Sequence, residues 1–378
     1  MGTEFDLVFE GGGAKGSVFV GAIEEFERRG HTARRFVGTS AGAITATLMA
    51  AGYKAPAMLQ ATTETTKEGK PRFATFMDIA AKFASEEIKN SLTYTIFRKI
   101  DLPLVPESTE EWLDKQLMKR LMKIDAYREI FSFVERGGLY AGDAFIDWLR
   151  EKLDARISGL GNLNFREFAR QTNSDLSVVA SDTSSHDMLI LNSRTAPDCP
   201  VAWGVRMSMS IPFLWQEVRW QKDWGTYRGK DITGHTIVDG GVLSNFPIYY
   251  LTSDDDEVQA VMGSIDPDAC PNLGLLIDET ITVSGAPAKA EKTGSAGTDE
   301  GLLDHVTRLK TIQRVTRILD TLTDAHDRSA IAAHEDEVCR LPAKGYGTTE
   351  FDMSGKRLEA LIAAGREAMK NHLDTRGF

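Results

Sequence analysis

Cysteine is scarce in this chain. Cys199, Cys270 and Cys339 are the only three in 378 residues, odd in number and far apart. That spacing excludes a disulfide framework and a cysteine-based zinc site, and it fits a reducing, cytoplasmic compartment. Histidine is sparse as well: seven residues, none in a His-Glu-x-x-His pattern. No calcium loop with acids at alternating positions is present either, so no metal and no cofactor is expected. The chain has no apolar run of about 18 residues, which excludes a membrane-crossing helix but not docking onto a membrane. Residues Met1 to Asp6 lack a basic stretch followed by an apolar one, so no secretory signal is expected. Gly2 invites N-acylation, but Asp6 stands where that motif wants Ser or Thr. Basic residues are in deficit, 44 Lys and Arg against 55 Asp and Glu, for a net charge of −11. Phosphate backbones would be repelled, so no nucleic-acid partner is expected. What is abundant is core material. Hydrophobic residues at 42% and charged residues at 26% describe a soluble globular protein of one large or two ordinary domains.

The N-terminal fifty residues alternate strand, loop and helix twice. Phe5 to Glu10 reads as a buried strand that runs into Gly11-Gly12-Gly13-Ala14-Lys15-Gly16. Ser17 to Arg29 has helical spacing and ends at Gly30; Arg35 to Val37 is a second strand, leading into Gly38-Thr39-Ser40-Ala41-Gly42 and an Ala-rich helix from Ala43 to Ala51. Two such units argue for an α/β class with a parallel sheet and function at the strand C-termini. Residues 56–135 read as a helical insertion. Further strands are expected at Ser177–Ala180, Leu189–Asn192, Trp215–Trp220, Thr236–Val238 and Val258–Ile265. Helices are expected at Ala144–Leu153, Leu302–Leu322 and Leu358–Leu373, and a loop at Gly285–Thr298. The resulting division is a catalytic domain over 1–278, a loop over 279–300 and a helical extension over 301–378 packed on that domain.

Three segments can carry chemistry. Gly38-x-Ser40-x-Gly42 between a strand and a helix places a serine on a sharp turn, with the helix N-terminus favouring negative charge beside it. The alternative is a tight turn without a role. The Gly11–Gly16 loop can present backbone N–H groups to an oxyanion. Its formal match to Gly-x-Gly-x-x-Gly also allows a nucleotide-binding module, but the second strand ends in the serine turn, not in the acid that the dinucleotide fingerprint wants. Lys15-Gly16 does not supply the Lys-Ser/Thr of a phosphate-binding P-loop. Asp239-Gly240-Gly241, with Asn245 and Pro247 beyond, puts a carboxylate at a strand end where it can serve a serine as base; the alternative is a β-turn aspartate. Histidine is the usual base, but His235 stands four residues before Asp239, roughly 13 Å away along an extended strand. A Ser-His-Asp triad is therefore disfavoured.

Taken in order, these segments resemble the signatures of the patatin-like phospholipase family. Gly138-Leu139-Tyr140, Val178-Val179-Ala180-Ser181-Asp182, Ser208-Met209-Ser210-Ile211-Pro212 and Val242 to Pro247 resemble its intervening blocks, so the likeness runs from Phe5 to Leu251. Ser210 stands where the family often has Ala. The resemblance implies a three-layer α/β/α fold with a mainly parallel sheet, and a Ser-Asp dyad without histidine. Carried over by position, Ser40 is the nucleophile and Asp239 the base. Gly12, Gly13 and Ala14 become the oxyanion donors, and Gly11, Lys15, Gly16, Gly38, Gly42, Gly240 and Gly241 the supporting positions. Implied substrates are phospholipids, lysophospholipids or other fatty-acyl esters. The rivals are a nucleotide-binding module and a catalytically silent lipid-binding relative. For membrane contact, Glu111–Phe131 offers an amphipathic helix with Lys115, Lys119, Arg120, Lys123 and Arg128 outside its apolar face; a helix simply packed on the core is the plainer reading. Arg308, Lys310, Arg314 and Arg317 raise the same choice. A gating role for Gly285–Thr298 is a further option. Neither an activator nor an oligomeric state is legible.

Overall fold

A computed structural model describes residues 2–80, 83–98, 120–264, 270–287, 310, 314, 327–353 and 355–378. Its centre is an eight-stranded sheet. The strands are β1 (Glu4–Phe9), β2 (Thr32–Thr39), β3 (Asp175–Asp182), β4 (Asp187–Leu191), β5 (Val218–Arg219), β6 (Thr236–Asp239), β7 (Asn272–Thr282) and β8 (Val338–Lys344). They run in the order β8-β7-β1-β2-β3-β6-β5, with β4 paired to β3. The pairs from β8 through β3 are parallel, and β4, β5 and β6 pair antiparallel.

Continuous apolar runs build the parallel half, as expected for strands covered on both faces. In β1 the alternation sorts side chains between two cores: Phe5, Leu7 and Phe9 join the larger cluster and Val8 the smaller. Helices α1 (Val18–Arg28) and α2 (Ala41–Ala50) supply buried residues to the larger core. The smaller core packs Phe246, Ile248, Leu251, Val258, Val261 and Met262 against Val8, Val37 and Val179. Three layers result, as expected.

The structure departs from expectation in four places. Val258–Ile265, read as a strand, lies largely in a helix, Asp256–Met262. The reason is its start: Asp255 caps it by accepting the Glu257 amide at 2.9 Å, and Asp256 and Glu257 complement the helix dipole. The region 301–378 is not purely a helical extension, because β8 pairs in parallel with β7 inside the main sheet. β7 itself crosses the boundary drawn at 278. Trp215–Trp220 divides into Phe213–Trp215, which pairs with Gly138–Tyr140, and β5. The insertion over 56–135 holds helices at Ala55–Thr63, Ser85–Asn90, Leu92–Arg98 and Asp125–Arg136, but its described residues 64–84 are turns, one short helical turn at Arg72–Phe76 and an isolated bridge between Thr65 and Pro71. Residues 111–119 of the expected amphipathic helix, 288–298 of the expected loop and most of 302–322 lie outside the described residues.

Candidate active site

The sheet register brings the serine turn to the aspartate. Val179 of β3 pairs with Thr39 on one side and with Ile190 of β4 on the other. The next residue, Ala180, pairs with Leu189 of β4 and with Asp239 of β6. β2 and β6 therefore share one edge of β3, and β6 takes over where β2 stops. Ser40 follows Thr39 directly, so the strand ends carrying Ser40 and Asp239 abut.

Ser40 has φ 52° and ψ −120°, a conformation that non-glycine residues rarely hold and one that stores strain. Contacts on both sides hold it there. Its amide donates to Ser208 Oγ at 2.9 Å. Gly42 lies so close to the Phe9 carbonyl that a Cβ would clash. The segment Ser208–Ser210 binds both turns, because the Ser210 carbonyl accepts the Asp239 amide at 3.0 Å. Buried Arg206 secures that segment through Ser210 Oγ and donates to the carbonyls of Ala141 (2.7 Å) and Gln216 (3.1 Å).

Asp239 is buried, and its Oδ1 accepts the Gly241 amide at 2.7 Å. Among the described residues Oδ2 has no aligned donor, although the Ser40 hydroxyl is near enough to favour the carboxylate. Burial outweighs both stabilising contacts and pushes the pKa up to about 7. A carboxyl that ionises near neutrality suits a general base. His235 is engaged elsewhere. Its Nδ1 lies 2.7 Å from Asp182 Oδ2, on a carboxylate that also accepts from Ser184 and Ser185.

The glycine loop reaches the same place. A Cβ built at Gly11 would lie 3.2 Å from Ser40 Cβ and only 2.2 Å from Asn245 Oδ1, so glycine fits here without displacing that side chain. Asn245 locks this loop to the aspartate turn. Its carbonyl accepts the Gly11 amide (3.0 Å), and its Nδ2 donates to the Gly11 carbonyl (3.0 Å) and Glu10 Oε1 (3.1 Å). Asp327, from beyond β7, accepts the amides of Asn245 and Phe246 at 2.8 Å and Ser244 Oγ at 2.7 Å. Glu10 is buried, which pushes its pKa up to about 8 against the hydrogen bonds from Ile277 and Asn245 and the nearby Lys15 charge. Lys15 is not a solvated loop charge: it is buried and paired with Glu279.

Among the described residues, no acceptor pairs with the amides of Gly12 and Gly13. The Ala14 amide, expected to be an oxyanion donor, instead donates to the Thr348 carbonyl at 2.8 Å. An apolar cavity of about 80 Å³ opens beside the serine. Ser40, Ala14 and Ile44 line it near the turn, the aromatic group Phe73, Phe76 and Trp148 lines it further along, and Phe351 joins them from the C-terminal region.

Sequence reasoning did not find Glu10, Asp327, Thr348 or Phe351. Glu10 offered the one available signal, an acid at the buried end of an apolar strand. The other three follow β7 and reach the site only through the tertiary fold.

Residues 7–252 match the family described as Patatin-like phospholipase, more than half of the chain. The chain belongs to the patatin-like phospholipase family, a class defined by lipid-ester hydrolysis. Among its relatives, the uncharacterized protein YqhO of Bacillus subtilis (strain 168) is 27% identical over 368 residues, covering 96% of this chain and 95% of YqhO. Two solved structures are similar at TM-score 0.45. VipD from Legionella pneumophila is 17% identical, with 98% of this chain and 67% of VipD covered. ExoU from Pseudomonas aeruginosa, solved in complex with SpcU, is 15% identical, with 99% of this chain and 53% of ExoU covered. No described helix is long and apolar enough to cross a membrane.

Proposed function

We propose that this protein is a serine acyl-hydrolase of phospholipid or lysophospholipid esters, working through Ser40 and Asp239. The supporting observation is the register of β3, which sets the ends of β2 and β6 side by side with the glycine loop against them. Ser40 Oγ attacks the ester carbonyl carbon while its proton passes to Asp239 Oδ2. The carbonyl π electrons move onto oxygen, where the amides of Gly12 and Gly13 receive the charge. Collapse of this intermediate breaks the bond to the alkoxide, which takes the proton back from Asp239 and leaves an acyl-serine. A water molecule then gives its proton to Asp239 and attacks the acyl carbon. The fatty acid leaves and Ser40 recovers its proton. No histidine takes part, and His235 is left to its pairing with Asp182.

The test is labelling with a fluorophosphonate, located by mass spectrometry, together with lipid analysis of phospholipid vesicles after incubation. Expected outcomes are modification of Ser40, released fatty acid, and loss of both in Ser40→Ala, with His235→Ala still active. Vesicle binding without labelling would point to a silent lipid-binding relative. Saturable ATP or NAD binding without ester turnover would point to a nucleotide module.

A further inference from the structure

One lining residue of the cavity, Phe351, comes from a segment outside the family-matched residues. The loop from Gly345 to Met353 follows β8 and touches the site twice. The Thr348 carbonyl engages the Ala14 amide, and Phe351 enters the cavity beside Ser40, its ring edge-on to Trp215 with centroids 5.9 Å apart. The loop is held at its base. Buried Arg357 donates to Glu350 Oε1 at 2.8 Å, to the Gly345 carbonyl at 2.8 Å and to the Pro287 carbonyl at 2.8 Å. The Gly347 amide donates to Glu350 Oε2 at 3.1 Å, and the Tyr346 hydroxyl to the Arg357 carbonyl at 2.9 Å.

The cavity is too small for a long acyl chain. An apolar void of about 150 Å³ takes one benzene, and this one has about 80 Å³. The cavity is open on one side, so a longer chain must run out past its lining residues or displace one of them. The aromatic group is poorly suited to move, because Phe73, Phe76 and Trp148 pack on one another with centroids 5.2–5.5 Å apart, and Trp148 is fully buried on a helix, Asp143–Arg156. Phe351 and Phe73 are each only partly buried, but Phe73 lies in a helical turn, Arg72–Phe76, whereas Phe351 sits on a loop.

We propose that Phe351 determines which acyl chains reach Ser40, so that the segment after β8 sets the chain-length preference of the site. This rests on the hydrolase reading. In that reading short acyl groups fit beside Phe351 as it stands, while long ones require its ring and the Thr348 contact to withdraw.

The experiment measures kcat/KM for p-nitrophenyl acetate, butyrate, octanoate and dodecanoate with the full chain. Phe351→Ala is expected to raise the dodecanoate-to-acetate ratio about tenfold, and Phe351→Trp to lower it. Phe351→Leu, a milder change of volume, is expected to fall between Phe351→Ala and the unaltered protein, and it serves if the alanine variant does not fold. A ratio within about twofold of the unaltered protein in both the smaller and the larger variant, with Ser40 still labelled, would overturn the proposal alone. If no ester is turned over in a Ser40-dependent way by the unaltered protein, the hydrolase reading fails and takes this one with it.

Discussion

Asp239→Asn is expected to abolish hydrolysis and at the same time stabilise the fold. In the unfolded chain this carboxyl titrates near its ordinary 3.8; folded, burial lifts it to about 7. Between those values the native state holds a proton that the unfolded state has lost, so stability falls as pH rises from about 4 to 7 and then levels. The difference of about 3 units, at about 1.36 kcal/mol each, makes the ionised residue cost about 4 kcal/mol above pH 7. Asparagine avoids that charge yet keeps its shape. Its Oδ1 accepts the Gly241 amide, and its Nδ2 stands where Oδ2 lacks an aligned donor, facing a serine hydroxyl able to accept. Unfolding followed over pH should show the variant about 2–4 kcal/mol more stable near pH 8. That advantage should shrink toward pH 4. Glu10 is also raised, to about 8, but it is present in both proteins and cancels in the subtraction. An asparagine variant no more stable than the unaltered protein near pH 8, or one whose advantage ignores pH, would refute the reasoning.

Other expectations follow from the same geometry. The kcat/KM for ester hydrolysis should rise with pH through about 7 as Asp239 loses its proton, which a pH profile on a soluble ester would reveal. Ser40→Gly should be about 1 kcal/mol more stable than Ser40→Ala, both being inactive, because glycine relieves the φ 52° conformation at some entropic cost; equal melting temperatures would argue against strain at the turn. Asp327→Ala should destabilise by about 2 kcal/mol or more, since the Asn245 and Phe246 amides and the Ser244 hydroxyl each lose an acceptor, a loss readable by urea unfolding.

The N-terminal strand–loop–helix units were legible because local rules dominate there: buried apolar runs, glycines at close approaches and a serine between a strand and a helix. Ser40 and Asp239 were each visible as strand-end residues with an alternative role. Their proximity was not, since it depends on β6 following β2 along β3. The apolar run from Val258 suggests a strand; the carboxylates before it instead start a helix, and Val258, Val261 and Met262 fall on the buried face. β8 was missed because a short strand pairing across a long interval leaves little periodic signal. Ala14 was assigned from the loop alone, and its amide is engaged by a carbonyl more than three hundred positions later.

The shared edge of β3 carries an evolutionary consequence. The Ser40 turn and Asp239 are set side by side by pairings to consecutive residues of β3, so the lengths of the intervening excursions do not enter their alignment. Segments between them can grow, shrink or be exchanged at the modest entropic cost of longer loops, roughly 0.6 kcal/mol per doubling. Lineages can therefore remodel the segments around these two residues while the pairing of the strand ends keeps its geometry.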